Sequence, residues 1–330
     1  MPAWRRSSRA SVGYSRAVTN PSTATASSVG SVLEALDRVI LGKPEAVRLA
    51  FTCLLARGHL LIEDVPGVGK TTLAHALAQV LGLAWQRVQF TSDLLPADII
   101  GVSVFDPTSG GFSFKKGPIF TQLLLADEVN RASPKTQSAL LEAMEERQVS
   151  VDVTTYRLPD PFFVVATQNP FEQLGTFRLP ESQLDRFLMR ISLGYPDAVH
   201  ERALLGEGDR RDLLAGMAPA LNPESVRELQ AAAQRVHVAP ALLEYVQALL
   251  ASTRRRSDIQ IGLSPRAGQG LVRAARARAL IEGRDLTLPE DVQAVFASVA
   301  SHRLESAGVA TAGDHAEFIA GIARGVPVPV

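Results

Sequence analysis

Three observations predict an α/β protein built on a parallel sheet, with a smaller all-helical unit after it. First, the apolar run 60–62 ends in a turn punctuated by Pro66, Gly67 and Gly69. It leads into a helical pattern from Lys70, with Leu73, Leu77, Val80 and Leu81 on one face. Second, the runs 123–126 and 162–166 are apolar without alternation and end in polar residues, as strands covered on both faces do. Third, strand patterns largely stop after Tyr195-Pro196. Ala-rich helical segments follow, opened by Asn222-Pro223, Pro240, Ser264-Pro265 and Pro289.

Bulk properties narrow the class. At 330 residues the chain can form two domains with cores of their own. Its 34 basic and 34 acidic residues cancel, so no global field draws it to nucleic acid or a membrane. No apolar run approaches the length of a bilayer span. Cys53 is the single cysteine, which rules out an internal disulfide. It lies in a helical run and reads as a core residue in a reducing cytosol, so a cytoplasmic location is expected. Residues 1–30 differ in composition: Arg5, Arg6, Arg9 and Arg16 stand among Ser, Thr and Ala, and no acid precedes Glu34. This resembles a transit peptide, but no apolar core follows Arg5-Arg6 to make an export signal. A disordered tail, or a start codon set too early, is the expectation.

In chain order, 31–57 reads as helix, interrupted at Gly42-Lys43-Pro44, and 86–90 as a second strand. The stretch 105–117 is rich in Gly and Phe, and 110–114 alternates as a hairpin would. Ser133-Pro134 is an N-cap followed by an N1 proline, opening a helix to about Arg147. A loose hairpin is expected over 149–158, then strand 162–166 and a last strand over 188–193. The domain reading is therefore a tail over 1–30, a core over 31–195 and a helical unit over 196–330.

The strand, tight loop and helix at 60–73 form the context that a phosphate-binding loop requires. Glycines let the backbone curl so that Val65, Gly67, Val68 and Gly69 turn N–H groups inward; Pro66 contributes shape alone. The helix N-terminus, with Thr72 in its first turn, adds its dipole. Lys70 would reach the β- and γ-phosphates and the Thr71 hydroxyl would ligate Mg²⁺. The pattern G-x-x-x-x-G-K-[ST] is broken, because Asp64 stands where its first glycine belongs. The plain alternative is a Gly-rich turn with a surface lysine.

Asp127 and Glu128 close the apolar run 123–126, at a strand end where open sheets bind ligands. Adjacent carboxylates there are costly unless a cation or a reaction uses them. Asp127 would hold Mg²⁺ and Glu128 would orient the attacking water; otherwise both simply begin a loop. Asn169 could hydrogen-bond the water or the γ-phosphate, and Asn-Pro is equally plain turn chemistry. Arg186 reads either as a surface partner of Asp185 or Glu181, or as an arginine finger for a neighbour's γ-phosphate, with Arg178 competing. Arg266 falls in the first turn of its helix, where a cation opposes the dipole. An arginine reaching from a lid helix onto a bound phosphate would explain it.

Four stretches resemble the MoxR family of AAA+ ATPases. They are Glu63-Asp64-Val65-Pro66-Gly67-Val68-Gly69-Lys70-Thr71, Asp127-Glu128-Val129-Asn130-Arg131-Ala132-Ser133-Pro134-Lys135-Thr136-Gln137, Ala166-Thr167-Gln168-Asn169-Pro170 and Leu179-Pro180-Glu181-Ser182-Gln183-Leu184-Asp185-Arg186-Phe187. The resemblance covers about 31–325, and Asp64 is common within it. It implies an AAA+ P-loop NTPase αβα core with a parallel sheet, followed by an all-helical lid. Lys70 and Thr71 match Walker A, Asp127 and Glu128 Walker B, Asn169 sensor 1, Arg186 the arginine finger and Arg266 sensor 2. The segments 149–158 and 111–116 match the family's two β insertions. Proline is expected where Arg178 stands.

The function so implied is Mg²⁺-dependent ATP hydrolysis coupled to chaperone-like remodelling or maturation of protein clients. It implies a ring, six subunits by resemblance, and a partner with a von Willebrand factor A domain. A DNA-acting motor and a nucleotide-gated switch with little turnover are the alternatives. The neutral charge and the missing basic module oppose the first, and Glu128 with Arg186 opposes the second.

Overall fold

The computed structural model describes residues 23–328, apart from 109, 153, 171–174, 207–212, 215 and 307–311. Helix α1 (Thr23–Val39) and helix α2 (Pro44–Leu55) are separated by the expected break at Gly42-Lys43. α1 begins inside the stretch assigned above to a disordered tail, which corrects that boundary. The physical reason is legible: buried Val29 continues the stripe of Val32, Leu36 and Val39 by one turn. Residues 1–22 of the expected tail lie outside the described residues.

The sheet comprises β1 (Leu60–Glu63), β2 (Trp85–Gln89), β5 (Leu123–Asp127), β8 (Phe163–Gln168) and β9 (Met189–Ile191). Its order is β2-β5-β8-β1-β9, and every neighbouring pair is parallel. Along β5, Leu123 and Leu125 enter one apolar cluster, while Leu124 and Ala126 enter the other. Both faces of the strand are thus covered, which is why its sequence lacks alternation. α3 (Lys70–Val80) joins α1 and α2 on one face; α4 (Pro96–Ile100) and α5 (Pro134–Glu146) cover the other. Ser133 caps α5 by accepting from the Thr136 N–H at 3.3 Å.

Two hairpins leave the second face. β3 (Gly101–Asp106) pairs with β4 (Gly111–Lys116), and β6 (Gln148–Val151) with β7 (Thr154–Arg157). The first therefore begins at Gly101, earlier than the Gly/Phe-rich stretch suggests. Ser103 Oγ donates to Asp152 at 2.7 Å and the Phe114 and Tyr156 rings stack at 4.4 Å, joining one hairpin to the other.

A four-residue helix α6 (Glu181–Leu184) precedes β9. The helical unit then contains α7 (Ala198–Gly206), α8 (Pro223–Arg235), α9 (Pro240–Arg255), α10 (Pro265–Ile281), α11 (Pro289–Ala300) and α12 (Ala312–Arg324). It also has a two-stranded ladder, β10 (Ile259–Ile261) with β11 (Glu305–Ser306), too short to show as an alternating pattern. α10 packs on α2, and buried residues such as Leu271, Val292 and Ile319 belong to the same cluster as Phe51 and Leu73. The helical unit therefore shares its core with the α1–α3 side of the sheet. Among the described residues no helix is long and apolar enough to cross a membrane.

Candidate functional site

Because every strand is parallel, all carboxyl ends lie on one edge, and the sequence delivers its candidate residues there. The loop after β1 leads to Lys70, the first residue of α3. Gly67 and Gly69 have φ of 83° and 95°, a region that an L side chain resists. Nothing lies within 4 Å of where a Cβ would stand on either, so the loop opens onto free space. Backbone amides around such space, at a helix N-terminus without acidic residues, form a cradle fit for phosphate. Thr71 and Thr72 are half-buried in the same turn.

Asp64 explains itself. Its carboxylate is 7% exposed and turned away from the cradle. One oxygen accepts from Ser192 Oγ at 2.8 Å and from the Leu193 and Gly194 N–H groups at 2.7 Å each; the other accepts from the Val65 N–H at 2.8 Å. Burial alone would raise its pKa, but these hydrogen bonds hold it below the ordinary value. The side chain ties the loop to the end of β9, and only its backbone faces Lys70, whose Nζ donates to the Asp64 carbonyl at 2.5 Å. Burial lowers the Lys70 pKa, against the pull of Asp64, Asp127 and Glu128.

Asp127 ends β5 and is 7% exposed. Its Oδ1 accepts from Thr167 Oγ1 at 2.6 Å; its Oδ2 accepts from Arg87 Nε at 3.1 Å and Nη2 at 2.5 Å. Glu128 follows in a left-handed conformation at φ 57°. Its Oε2 accepts from Gln89 Nε2 at 2.7 Å and Arg131 Nη1 at 2.9 Å, while its N–H donates to Thr167 Oγ1 at 2.9 Å. Asn169 follows β8 at the same edge.

Hard oxygen donors suit Mg²⁺, which keeps several waters and binds through one or two carboxylates plus phosphate oxygens. The Thr71 hydroxyl and the Asp127 carboxylate are donors of that kind. Arg87, Gln89, Arg131 and Thr167 are missing from the sequence-based site. Arg131 and Thr167 stand inside motifs already singled out. Arg87 and Gln89 carry no local signal, because only the parallel register that sets Gln89 against Asp127 brings β2 to the acids.

The arginines lie elsewhere. Arg186 pairs with neither Asp185 nor Glu181; its Nε donates to Glu145 Oε2 at 2.7 Å. Arg266 Nη2 lies 3.0 Å from Glu145 Oε1, and its Nε lies 3.5 Å from Asp185. Both line a cavity of about 210 Å³ together with Arg57 and His59, which precede β1. That is the amino edge of the sheet. The four residues of β1 separate it from the phosphate loop by roughly 13 Å at about 3.3 Å per residue. The structure therefore does not bring Arg266 to its own phosphate loop: the helix that carries it, α10, packs on α2. Arg178 is exposed and follows Phe177, whose backbone is bonded to Asn130 and Gln137 near Glu128, so it lies apart from the Arg186–Arg266 pair.

Known proteins resemble this chain in sequence and fold. Residues 59–189 match the profile of the ATPase family associated with various cellular activities (AAA), and residues 251–319 that of the AAA lid domain. The chain is 44% identical over 276 residues to the uncharacterized protein YeaC of Bacillus subtilis, covering 84% of this chain and 86% of that one. It is 41% identical over 283 residues to the chaperone MoxR1 of Mycobacterium tuberculosis (82% and 73%), and 37% over 294 residues to the protein MoxR of Paracoccus denitrificans (82% and 86%). The crystal structure of a candidate ATPase from Cytophaga hutchinsonii superimposes with a TM-score of 0.82 at 34% identity, covering 93% of this chain and 96% of that chain. The chain belongs to the MoxR family of AAA+ ATPases.

Proposed function

We propose that this chain hydrolyses ATP with Mg²⁺ in a closed ring and couples the reaction to remodelling or maturation of protein clients. The observation that carries the reading is the division of the chemistry between two edges of one sheet. Phosphate cradle and acidic pair occupy the carboxyl edge, and an arginine pair occupies the amino edge of the same subunit. A complete site then needs the carboxyl edge of one copy against the amino edge of the next, a heterologous contact that closes into a ring. Six copies, and a partner with a von Willebrand factor A domain, accord with the family resemblance. The name of the relative MoxR1 supports the chaperone reading, and a cytoplasmic location fits it.

In this mechanism the backbone N–H groups of Gly67, Val68 and Gly69, with Lys70, hold the β- and γ-phosphates, while the Val65 N–H stays with Asp64. Thr71 and Asp127 hold Mg²⁺, which supplies neutralisation of phosphate charge when bound. Glu128 orients a water for in-line attack and receives its proton, with Asn169 as a second hydrogen-bonding group. The new bond joins the water oxygen to the γ-phosphorus as the bond to the bridging oxygen breaks, leaving ADP and phosphate. Arg186 and Arg266 of the adjacent copy stabilise the charge that develops.

Steady-state ATPase assays over a range of protein concentrations test this. Wild type gains specific activity as rings assemble. Glu128→Gln retains nucleotide binding and loses about 100-fold or more in turnover, the scale of a positioned base. A wild type no faster than the variant at saturating protein would sink the reading.

A further inference from the structure

Glu145 and Arg266 each stand at the unfavourable end of a helix. Glu145 is in the last turn of α5, where the backbone dipole is negative and no basic residue accompanies it. Arg266 is in the first turn of α10, where the dipole is positive and no acidic residue accompanies it. Each placement costs about 0.3–1 kcal/mol. The two side chains are 33% and 53% exposed, and an ion pair that open to solvent contributes only about 0–1 kcal/mol. Stability therefore does not explain the arrangement.

Geometry does. One carboxylate spans two arginines from different parts of the chain: Glu145 Oε1 faces Arg266 of α10, and Oε2 accepts from Arg186, just before β9. The bond with Arg186 foremost holds the Glu145 carboxyl below its usual range. Among the described contacts Arg186 is engaged through Nε, and none involves its two terminal nitrogens, the pair that can grip phosphate. Asp185 braces the same group. It lies 3.5 Å from Arg266 Nε and accepts from Arg303 Nε at 2.7 Å. Arg303 is itself anchored to the carbonyls of Phe187 and Leu188. Glu145 thus meets Arg186 on its Nε flank and Arg266 at the one terminal nitrogen Nη2, while Asp185 lies on the Nε flank of Arg266.

We propose that Glu145 is a positioning residue that aligns Arg186 and Arg266 as one unit for the polyphosphate of an adjacent copy. The inference rests on the ring reading above and adds to it the residue that couples the two arginines. Without the carboxylate the two like charges repel, Arg186 loses the bond at its Nε, and Arg266 is left with Asp185.

The test uses the full-length chain with four substitutions: Glu145→Gln, Glu145→Asp, Arg186→Ala and Arg266→Ala. Glu145→Gln is expected to lower kcat about 10-fold or more with KM moved less than about 2-fold, the signature of lost transition-state contacts alone. Glu145→Asp is expected to recover part of kcat. Mixing Glu145→Gln with Lys70→Ala, which has intact arginines but an impaired loop, is expected to give more activity than either alone. A kcat unchanged in Glu145→Gln while Arg186→Ala or Arg266→Ala lowers it would overturn the inference. So would a mixture no more active than its parts, or KM and thermal midpoint falling together with kcat. If neither arginine substitution changes kcat, the underlying ring reading fails instead.

Discussion

The Thr167 hydroxyl donates to Asp127 Oδ1 at 2.6 Å, while the same oxygen accepts from the Glu128 N–H at 2.9 Å. One buried side chain on β8 therefore sets Asp127 at the end of β5 and Glu128 just after it, using its donor and an acceptor lone pair at once. Thr167→Val, of nearly the same shape, leaves a backbone N–H without a partner and should destabilise the chain by about 1–3 kcal/mol. Turnover should fall with it, whereas Thr167→Ser should retain both. Urea unfolding beside a steady-state ATPase assay separates these outcomes; a valine variant as stable and active as wild type would show that the hydroxyl sets nothing.

Asp64 predicts an acid-range dependence of stability. Its hydrogen bonds hold the folded pKa below the ordinary aspartate value, so the folded state binds the proton less readily than the unfolded chain. The contribution is complete above the unfolded pKa and is lost as pH falls through the folded one. Asp64→Asn places a donor where acceptors are needed and should cost about 1–3 kcal/mol at neutral pH. The gap between variant and wild type should narrow below about pH 4. A gap independent of pH in denaturant titrations would refute the ionised clamp.

His59 acts in a different window. Its Nδ1 accepts from the Val164 N–H at 3.0 Å, and Nε2 lies 3.1 Å from the Met144 carbonyl, an arrangement that suits the neutral ring. Burial lowers its pKa from 6.5 to about 3. Between those values the unfolded chain binds the proton and the folded one does not, so stability falls as pH falls through that interval. The slope is up to about 1.4 kcal/mol per pH unit from this residue. Substitution by Gln, which keeps a donor and an acceptor, should flatten the wild-type profile between pH 6.5 and 4. Unfolding midpoints measured across that range would show it, and an unchanged slope would contradict the assignment.

Two sequence features that looked like irregularities turn out to have physical causes at different ranges. Asp64 interrupts the phosphate-loop pattern because its carboxylate serves residues 192–194, more than a hundred positions away in the chain. Arg266 opposes its helix dipole because it meets Glu145 of another helix. Neither partner is visible in a local pattern, whereas the stripe that carries α1 back to Val29 is local and lay in the sequence throughout.

What the sequence by itself determined is the parallel sheet and the half of the site on its carboxyl edge. There the chemistry is adjacent in the chain to the element that presents it. Lys70 opens the helix after β1, Asp127 ends β5, and Asn169 follows β8, so strand, turn and cap rules place them. Only the tertiary structure decided the other half. Whether Arg266 faces its own phosphate loop or the opposite edge depends on α10 packing against α2 and on β9 lying beside β1. Those contacts join segments far apart in the chain, and no period or motif encodes their geometry. Packing put Arg266 beside Arg186 and Glu145, the arrangement on which the proposed contact between the amino edge of one copy and the carboxyl edge of another rests.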